Sequence, residues 1–396
     1  MASRTVKRRK LISELQVKRG GRLCLAYITS TRPGHEILIA DDVLRLIYEH
    51  LEAGVEAAKL GVDLFLHSHG GSSTTPWRIV SLIREYTNDL AILVPHRAFS
   101  AATLIALGAN DIVMHKMGCL GPIDPSVANI FNPPHPQNPM LPAPISVEDV
   151  TAYFKLIMEE LGITHDDELI QAVIALTEKI HPLALGNVQR SHNQARMMAR
   201  KLLKLHMPNE ADEPEITKII DTLKSNLFYH SHPINRDEAK VDLKLKVSEP
   251  PEDIGSLMWN LYVEYEKAME MNEPFNLLHE FEVRVPAMPA QEPITTQQIA
   301  QQLMQMAQSG IGLASGLNEE QLVRFAVAMI PHVGAPSAPV TKVKLENIIG
   351  AYIESKARTD VFKTDMRIER MSIPTPAGPQ PGVRQEVLWQ RWEEEK

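Results

Sequence analysis

Cysteine is nearly absent. The 396 residues hold two, Cys24 and Cys119, and neither stands in a metal-ligand spacing. A disulfide scaffold is excluded, and the reading is buried reduced thiols in a cytoplasmic protein. No apolar run approaches the roughly 18 residues of a membrane span, and the start carries no signal-peptide core. There is no GxGxxG turn, no phosphate-binding loop, no internal repeat and no cluster of metal ligands. No cofactor, metal or ATP chemistry is therefore expected. The net charge of −8 argues against nucleic acid as a partner. What remains is an ordinary soluble composition, 44% hydrophobic and 23% charged, long enough for a large core and an appendage.

The chain is organised around Val62–Pro125. Three apolar strand-like runs, Val62–Leu66, Leu90–Val94 and Asp111–Met114, are joined by a helix over Thr74–Tyr86 and by a turn rich in Ser and Ala. The first run leads to His69-Gly70-Gly71, the second to Ser100, and the third to Gly121-Pro122-Ile123-Asp124-Pro125. Ligands of βα architectures bind beyond the carboxyl ends of strands, so these three clusters should converge.

Ser100 stands at a strand-to-helix turn. A serine hydroxyl needs a base and a set of oxyanion donors before it can attack a carbonyl. The first-turn N–H groups of a helix, here those of Ala101 and Ala102, lack partners inside it. Gly70 and Gly71 let backbone approach a substrate closely and could add N–H groups from the other side. Serine is also a preferred helix N-cap, so a purely structural Ser100 fits the same local sequence. His67, His69 and His96 lie near enough in sequence to supply the base, with His115 a weaker candidate.

The Gly-Gly turn, the Ser-Ala-Ala-Thr helix start, Gly-Ala-Asn-Asp-Ile-Val-Met and above all Leu-Gly-Pro-Ile-Asp-Pro resemble the ClpP/crotonase superfamily. The branch they are most similar to is the serine dehydrogenase proteinase family, relatives of signal peptide peptidase A. The likeness runs over roughly residues 8–250. It implies an α/β fold, a βαβ superhelix of parallel strands, and a homo-oligomer. It also implies a serine-type peptidase without ATP chemistry of its own. Ser100 becomes the nucleophile, and Gly70, Gly71 and Ala101 the oxyanion donors. Signal peptide peptidases use a Ser–Lys dyad with the lysine some fifty residues on, and Lys155 lies 55 positions after Ser100. In the ClpP branch a histidine follows the nucleophile at about the distance of Asp124, which makes Asp124 a candidate to orient a base. Two positions depart from the family pattern: His69 replaces a proline, and Ala102 replaces a glycine. They keep open an inactive oligomeric scaffold. A crotonase-type acyl-CoA enzyme is the other alternative.

Around this segment the sequence predicts a basic helix over Val6–Val17 with a solvated face, in a 1–20 unit of its own. A strand over Arg22–Ile28 and a helix running to about Ala58 open a 21–250 core. Residues 122–144 hold eight prolines and read as an extended loop. Helices follow at Ser146–Leu161, with Ser146 as cap, and on either side of His181-Pro182. His230 and His232 have no third metal ligand. Residues 251–285 form a connecting helix, Glu252–Met271, and a strand, Leu277–Val285. Residues 286–396 read as a mainly helical appendage for partners, with helices at Gln297–Gln308 and Glu319–Ile330 and linkers at Pro331–Pro339 and Pro374–Pro381. Trp389 and Trp392 could dock on the core or on a partner.

Overall fold

The structure, a computed structural model, describes residues 2–123, 126–127, 129–135, 138–223, 232–284, 342–373 and 380–395. It divides into two compact units. One comprises Met1–Pro274, Ile349–Lys363 and Arg391–Lys396; the other comprises Phe275–Ile348 and Thr364–Gln390.

The first unit is built on a mixed sheet. Strands β1 (Leu23–Thr29), β2 (Val62–His67), β3 (Leu90–Val94) and β5 (Asp111–Met114) run parallel, and the short β7 (Val247–Ser248) extends them beyond β5. These strands read as continuous apolar runs because both faces are covered, as parallel sheets require. In β2 the side chains alternate. Val62, Leu64 and Leu66 join one core with Ile79, Val80, Leu104 and Ile105, whereas Phe65 joins a second with Ile12, Met258 and Tyr265. The first core belongs to helices α2 (Leu44–Ala53), α4 (Thr75–Arg84), α5 (Ala101–Leu107) and α8 (Pro182–Leu203). The second belongs to α1 (Ala2–Lys18) and α9 (Glu252–Ala268). Two-residue strands β4 (Arg97–Ala98) and β6 (Cys119–Leu120) pair in parallel beside this frame. Between α2 and β2 the expected single helix breaks at Gly54 and resumes as α3 (Val55–Leu60). Ser146 caps α6 (Val147–Lys155) as expected, its hydroxyl accepting the Asp149 N–H at 3.2 Å. A single π-type turn, Leu156–Glu160, follows, and then α7 (Asp166–Thr177).

Three expectations need correcting. Leu277–Val285, read as a strand, is helix α10 (Leu277–Arg284), because the Asn276 side chain accepts the N–H groups of Leu278 and His279 and starts a helix there. The appendage read as helical is, over its described residues, three long strands: β8 (Lys342–Glu354), β9 (Thr359–Ile373) and β10 (Gln380–Glu394). The helices expected at Gln297–Gln308 and Glu319–Ile330 lie outside the described residues. β8 pairs antiparallel with β1, Ala26 opposite Glu354 and Thr29 opposite Ala351, so β1 is no sheet edge. In the second unit, Leu345, Met366 and Ile368 of β8 and β9 bury against Phe275 and Phe281.

The third correction concerns α1: Arg4, Lys7, Lys10 and Lys18 are exposed as expected, but the basic residue Arg8 is buried and paired. Arg8 is 1% exposed, and its Nε meets Glu354 Oε2 at 2.7 Å. Its guanidinium lies 4.4 Å from the Tyr352 ring centroid, and Tyr265 Oη and Thr359 Oγ1 donate to the same carboxylate. Lys7 pairs with Glu264, and Arg19 with the fully buried Asp63. Trp392 docks on the core, its Nε1–H reaching Asp42 at 2.9 Å. Removing one partner of a fully buried pair strands the other charge and costs about 3–5 kcal/mol. Glu354→Ala should lose that much stability in urea unfolding. Truncating the exposed Glu56 should change stability by less than about 0.5 kcal/mol. Equal losses would mean that the Arg8–Glu354 contact does not hold the C-terminal strands to α1.

Candidate active site

Ser100 joins β4 to α5 with φ +52° and ψ −112°. That region disfavours residues with a Cβ and costs of order 1–3 kcal/mol, so the surrounding packing must impose it. The imposing contacts are nearby. Ala102 N–H bonds Phe99 O at 2.9 Å, Leu104 N–H bonds Ser100 O at 3.0 Å, and all seven residues of α5 are buried. The Ser100 side chain accepts no capping bond from its own helix. The hydroxyl is therefore not occupied as an N-cap, unlike that of Ser146.

Gly70 fits against this turn. A Cβ there would fall 2.8 Å from Phe99 O and from Ser100 Cβ, and 3.1 Å from Ala101 N, at a backbone φ of +105°. Only glycine permits both the conformation and the approach. Gly71 is equally constrained on its other side, where a Cβ would meet Ile39 O at 2.3 Å. The N–H of Gly70 is already committed to Ser68 Oγ at 3.0 Å. Those of Gly71 and Ala101 make no hydrogen bond among the described residues. The third arm arrives through Thr103, whose Oγ1 lies 2.7 Å from Ala98 O and 2.8 Å from Gly121 O and accepts the Gly121 N–H. The three strand ends thus do converge. Asp124 lies outside the described residues.

The four histidines are placed differently from one another, and none is hydrogen-bonded to Ser100. His67 is fully buried; its Nδ1 accepts the Arg97 N–H at 3.2 Å, which leaves Nε2 facing Thr31 Oγ1 at 3.3 Å. His96 meets Tyr262 Oη through Nδ1 at 2.9 Å and stacks on His67 with centroids 5.7 Å apart. His115 stacks on Trp259. His67 and His96 thereby pack against α9, opposite the core that holds α5. His69 is nearest to the turn, stacked on Phe99 at 5.9 Å. Burial, helped by neighbouring positive charge, holds all four below the ordinary imidazole value, His67 far below that value and His96 down to about 4. Lys155 closes α6, exposed to solvent and without a contact to Ser100. Cys24 and Cys119 are free thiols, and no metal-binding group of three occurs among the described residues. His232 is bonded to Glu238 instead.

Residues that sequence reasoning passed over complete the site. Ser68 positions Gly70, Thr103 clamps the Ser100 and Gly121 arms together, and Tyr262 and Trp259 hold the histidines. Each comes from an ordinary-looking position whose role depends on its partner. Arg97 was legible only as a charged residue three positions before Ser100.

Residues 1–137 match the family model of ClpP-like SDH-type serine proteinases. The stretch takes in Gly70, Gly71, Ser100 and Gly121, and it ends before Lys155. The resemblance to the serine dehydrogenase proteinase family therefore holds over this stretch, and the family so named is one of serine proteinases. The chain is also similar to two uncharacterized proteins of Methanocaldococcus jannaschii. One is 30% identical over 200 residues, 50% of this chain and 57% of the relative. The other is 28% identical over 137 residues, 32% of this chain and 44% of the relative. The chain thus spans about half the length of these relatives. No described helix is long and apolar enough to cross a membrane.

The histidines give the fold a pH signature. They are neutral when folded, with His35 and His96 held at about 4, and take up protons near 6.5 when unfolded. Between those values the unfolded chain binds more protons, so stability must fall as pH drops from about 6.5 toward about 4. Thermal melts at pH 7, 6 and 5 should show a declining Tm; a constant Tm over this range would contradict the buried neutral histidines.

Proposed function

We propose that the chain is a serine-type peptidase of the ClpP-like kind, acting in the cytoplasm as a homo-oligomer. The observation that carries this reading is the Ser100 turn: a strained serine with a free hydroxyl at its helix start, beside N–H groups of Gly71 and Ala101 that make no hydrogen bond among the described residues. Ser100 Oγ attacks the peptide carbonyl carbon while its proton passes to a base. The oxygen of the tetrahedral intermediate takes hydrogen bonds from Gly71 and Ala101. Fixed donors aimed at that developing charge are worth roughly 10²–10³ in rate each. The C–N bond then breaks, the amine leaves with the proton, and water hydrolyses the Ser100 ester. Gly70 serves by its shape rather than by its N–H, which Ser68 already holds.

Lys155 is the proposed base. A lysine takes this role when burial lowers its proton affinity, yet in the single chain it is exposed. Leu156, Met158 and Leu161 beside it are exposed as well, and α7 buries none of its residues although Ile170, Val173 and Ile174 are apolar. A second copy covering this face would remove Lys155 from water. Asp124, directly after the buried Ile123, is the carboxylate proposed to orient the base. The same exposure of Lys155 favours a second reading, an inactive scaffold, if no such burial occurs.

A fluorophosphonate probe followed by intact-mass spectrometry tests the proposal. Wild type should gain one adduct, Ser100→Ala none, and Lys155→Ala should label at least about 100-fold more slowly. Labelling should also slow when the assembly is diluted into monomers. Wild-type labelling in Lys155→Ala would move the base to His69, the histidine stacked on Phe99 beside the turn. An unlabelled wild-type oligomer would leave the scaffold. Adduct formation at Ser100 counts against a crotonase-type enzyme, which needs no nucleophile.

A further inference from the structure

Arg97 is a cation with no anionic partner among the described residues. It sits half-buried on β4, three residues before Ser100. Its neighbours are neutral. Its own N–H is held by His67 Nδ1, its Nη1 lies 3.4 Å from His69 Nε2, and its strand pairs Arg97 with Cys119. Its charge is felt by His67, His69, His96, Cys119 and Tyr262, every one of them uncharged or disfavoured in its protonated form there. Of the acidic groups acting on these neighbours, Glu36 is exposed and bears on His69, and Glu266 bonds Tyr262.

Most other half-buried arginines differ. Arg9 and Arg84 also lack an ion pair among the described residues, but they donate to Thr359, Asn88, Gly108 and Asn110 oxygens. Arg19 and Arg22 share Asp63, Arg32 meets Glu270, and Arg358 meets Asp360 and Glu49. A partly desolvated guanidinium normally finds such a partner, because its planar fork of donors matches a carboxylate. At Arg97 the fork is left for a ligand. Its placement fits that use. His69, which Arg97 touches, immediately precedes Gly70-Gly71 and stacks on Phe99, which immediately precedes Ser100. The guanidinium is thereby linked, through the His69 and Phe99 rings, to the residues that precede the glycine pair and Ser100.

We propose that Arg97 binds a carboxylate of the substrate next to the bond presented to Ser100, so that the site selects peptides with an acidic side chain or a free C-terminus there. This rests on the peptidase reading for the role of Ser100, but the binding itself does not require reaction. Arg97 is then a specificity residue, and His69, in the place of the family's usual proline, is its platform.

The test is isothermal titration of the full-length Ser100→Ala protein with three short peptides: amidated with an internal Glu, free-acid with neutral side chains, and amidated neutral. A charge-assisted contact of this kind gives about a tenfold preference. At least one carboxylate peptide should bind about tenfold more tightly than the neutral one, and which of the two does so tells side chain from C-terminus. Adding Arg97→Gln should bring the preferred peptide down to the level of the neutral one. Arg97→Lys should keep part of the preference, and unchanged melting curves would exclude misfolding as the cause. Equal binding of all three peptides, no binding of any, or a preference that survives Arg97→Gln overturns the proposal. Phosphonate labelling of the wild type, run in parallel, keeps the two ideas separate. An adduct without a carboxylate preference defeats only the role of Arg97, and a preference without an adduct defeats only the nucleophile.

Discussion

Gly70 leaves no room for a side chain between itself and the Ser100 turn, and the rest of the site follows from that contact. Two neighbouring parallel strands end side by side, one in Gly70-Gly71 and the other in the loop to β4. Their register is fixed deep in the sheet, Phe65 opposite Leu93 and Val62 opposite Leu90. A glycine at φ +105° lets the first strand end press against the second turn, and the packed helix α5 holds Ser100 at φ +52° from the other side. Thr103 then ties the Gly121 arm to the same turn through one hydroxyl. Strain at Ser100 is sustained by a surround in which nearly every group is buried and bonded. That is the usual way a fold stabilises a reactive geometry.

The two faces of the sheet have separate tasks. The face with α4, α5 and α8 is apolar and sets the Ser100 turn. The face with α1 and α9 carries the buried polar groups: Asp63 with its arginines, Arg8 with Glu354, and the histidine stack on Tyr262 and Trp259. Histidines at strand ends look like bases in a sequence. Here their ring nitrogens are taken up by Arg97 N–H, Thr31 and Tyr262, and burial keeps them neutral. The half-buried Arg97 is the cation next to this histidine stack.

The central sheet was legible because buried parallel strands leave a plain signal, as in Leu90–Val94, where all five residues are apolar and all five are buried. The Ser100 turn and the glycine pair were legible for a related reason: small residues at strand ends mark close backbone approach. The C-terminal strands were not. Their pattern, Lys-Val-Lys-Leu-Glu-Asn in β8, alternates imperfectly, and Asn347 at φ +57° interrupts it. Nothing local announces that Glu354 will meet Arg8, 346 residues earlier. Ser68 and Thr103 were invisible for the same reason, since a hydroxyl's value lies in which backbone group the fold brings to it. Lys155 illustrates the opposite risk. Its spacing from Ser100 suits a dyad, but spacing carries no information about burial.

The central claim is that Gly71 and Ala101 hold the oxygen that becomes charged when Ser100 reacts. A crystal structure of the fluorophosphonate adduct tests it most directly. The account predicts phosphorus bonded to Ser100 Oγ, with the phosphoryl oxygen about 2.7–3.1 Å from both Gly71 N and Ala101 N. A phosphoryl oxygen turned to solvent, or an adduct carried by another residue, would contradict it.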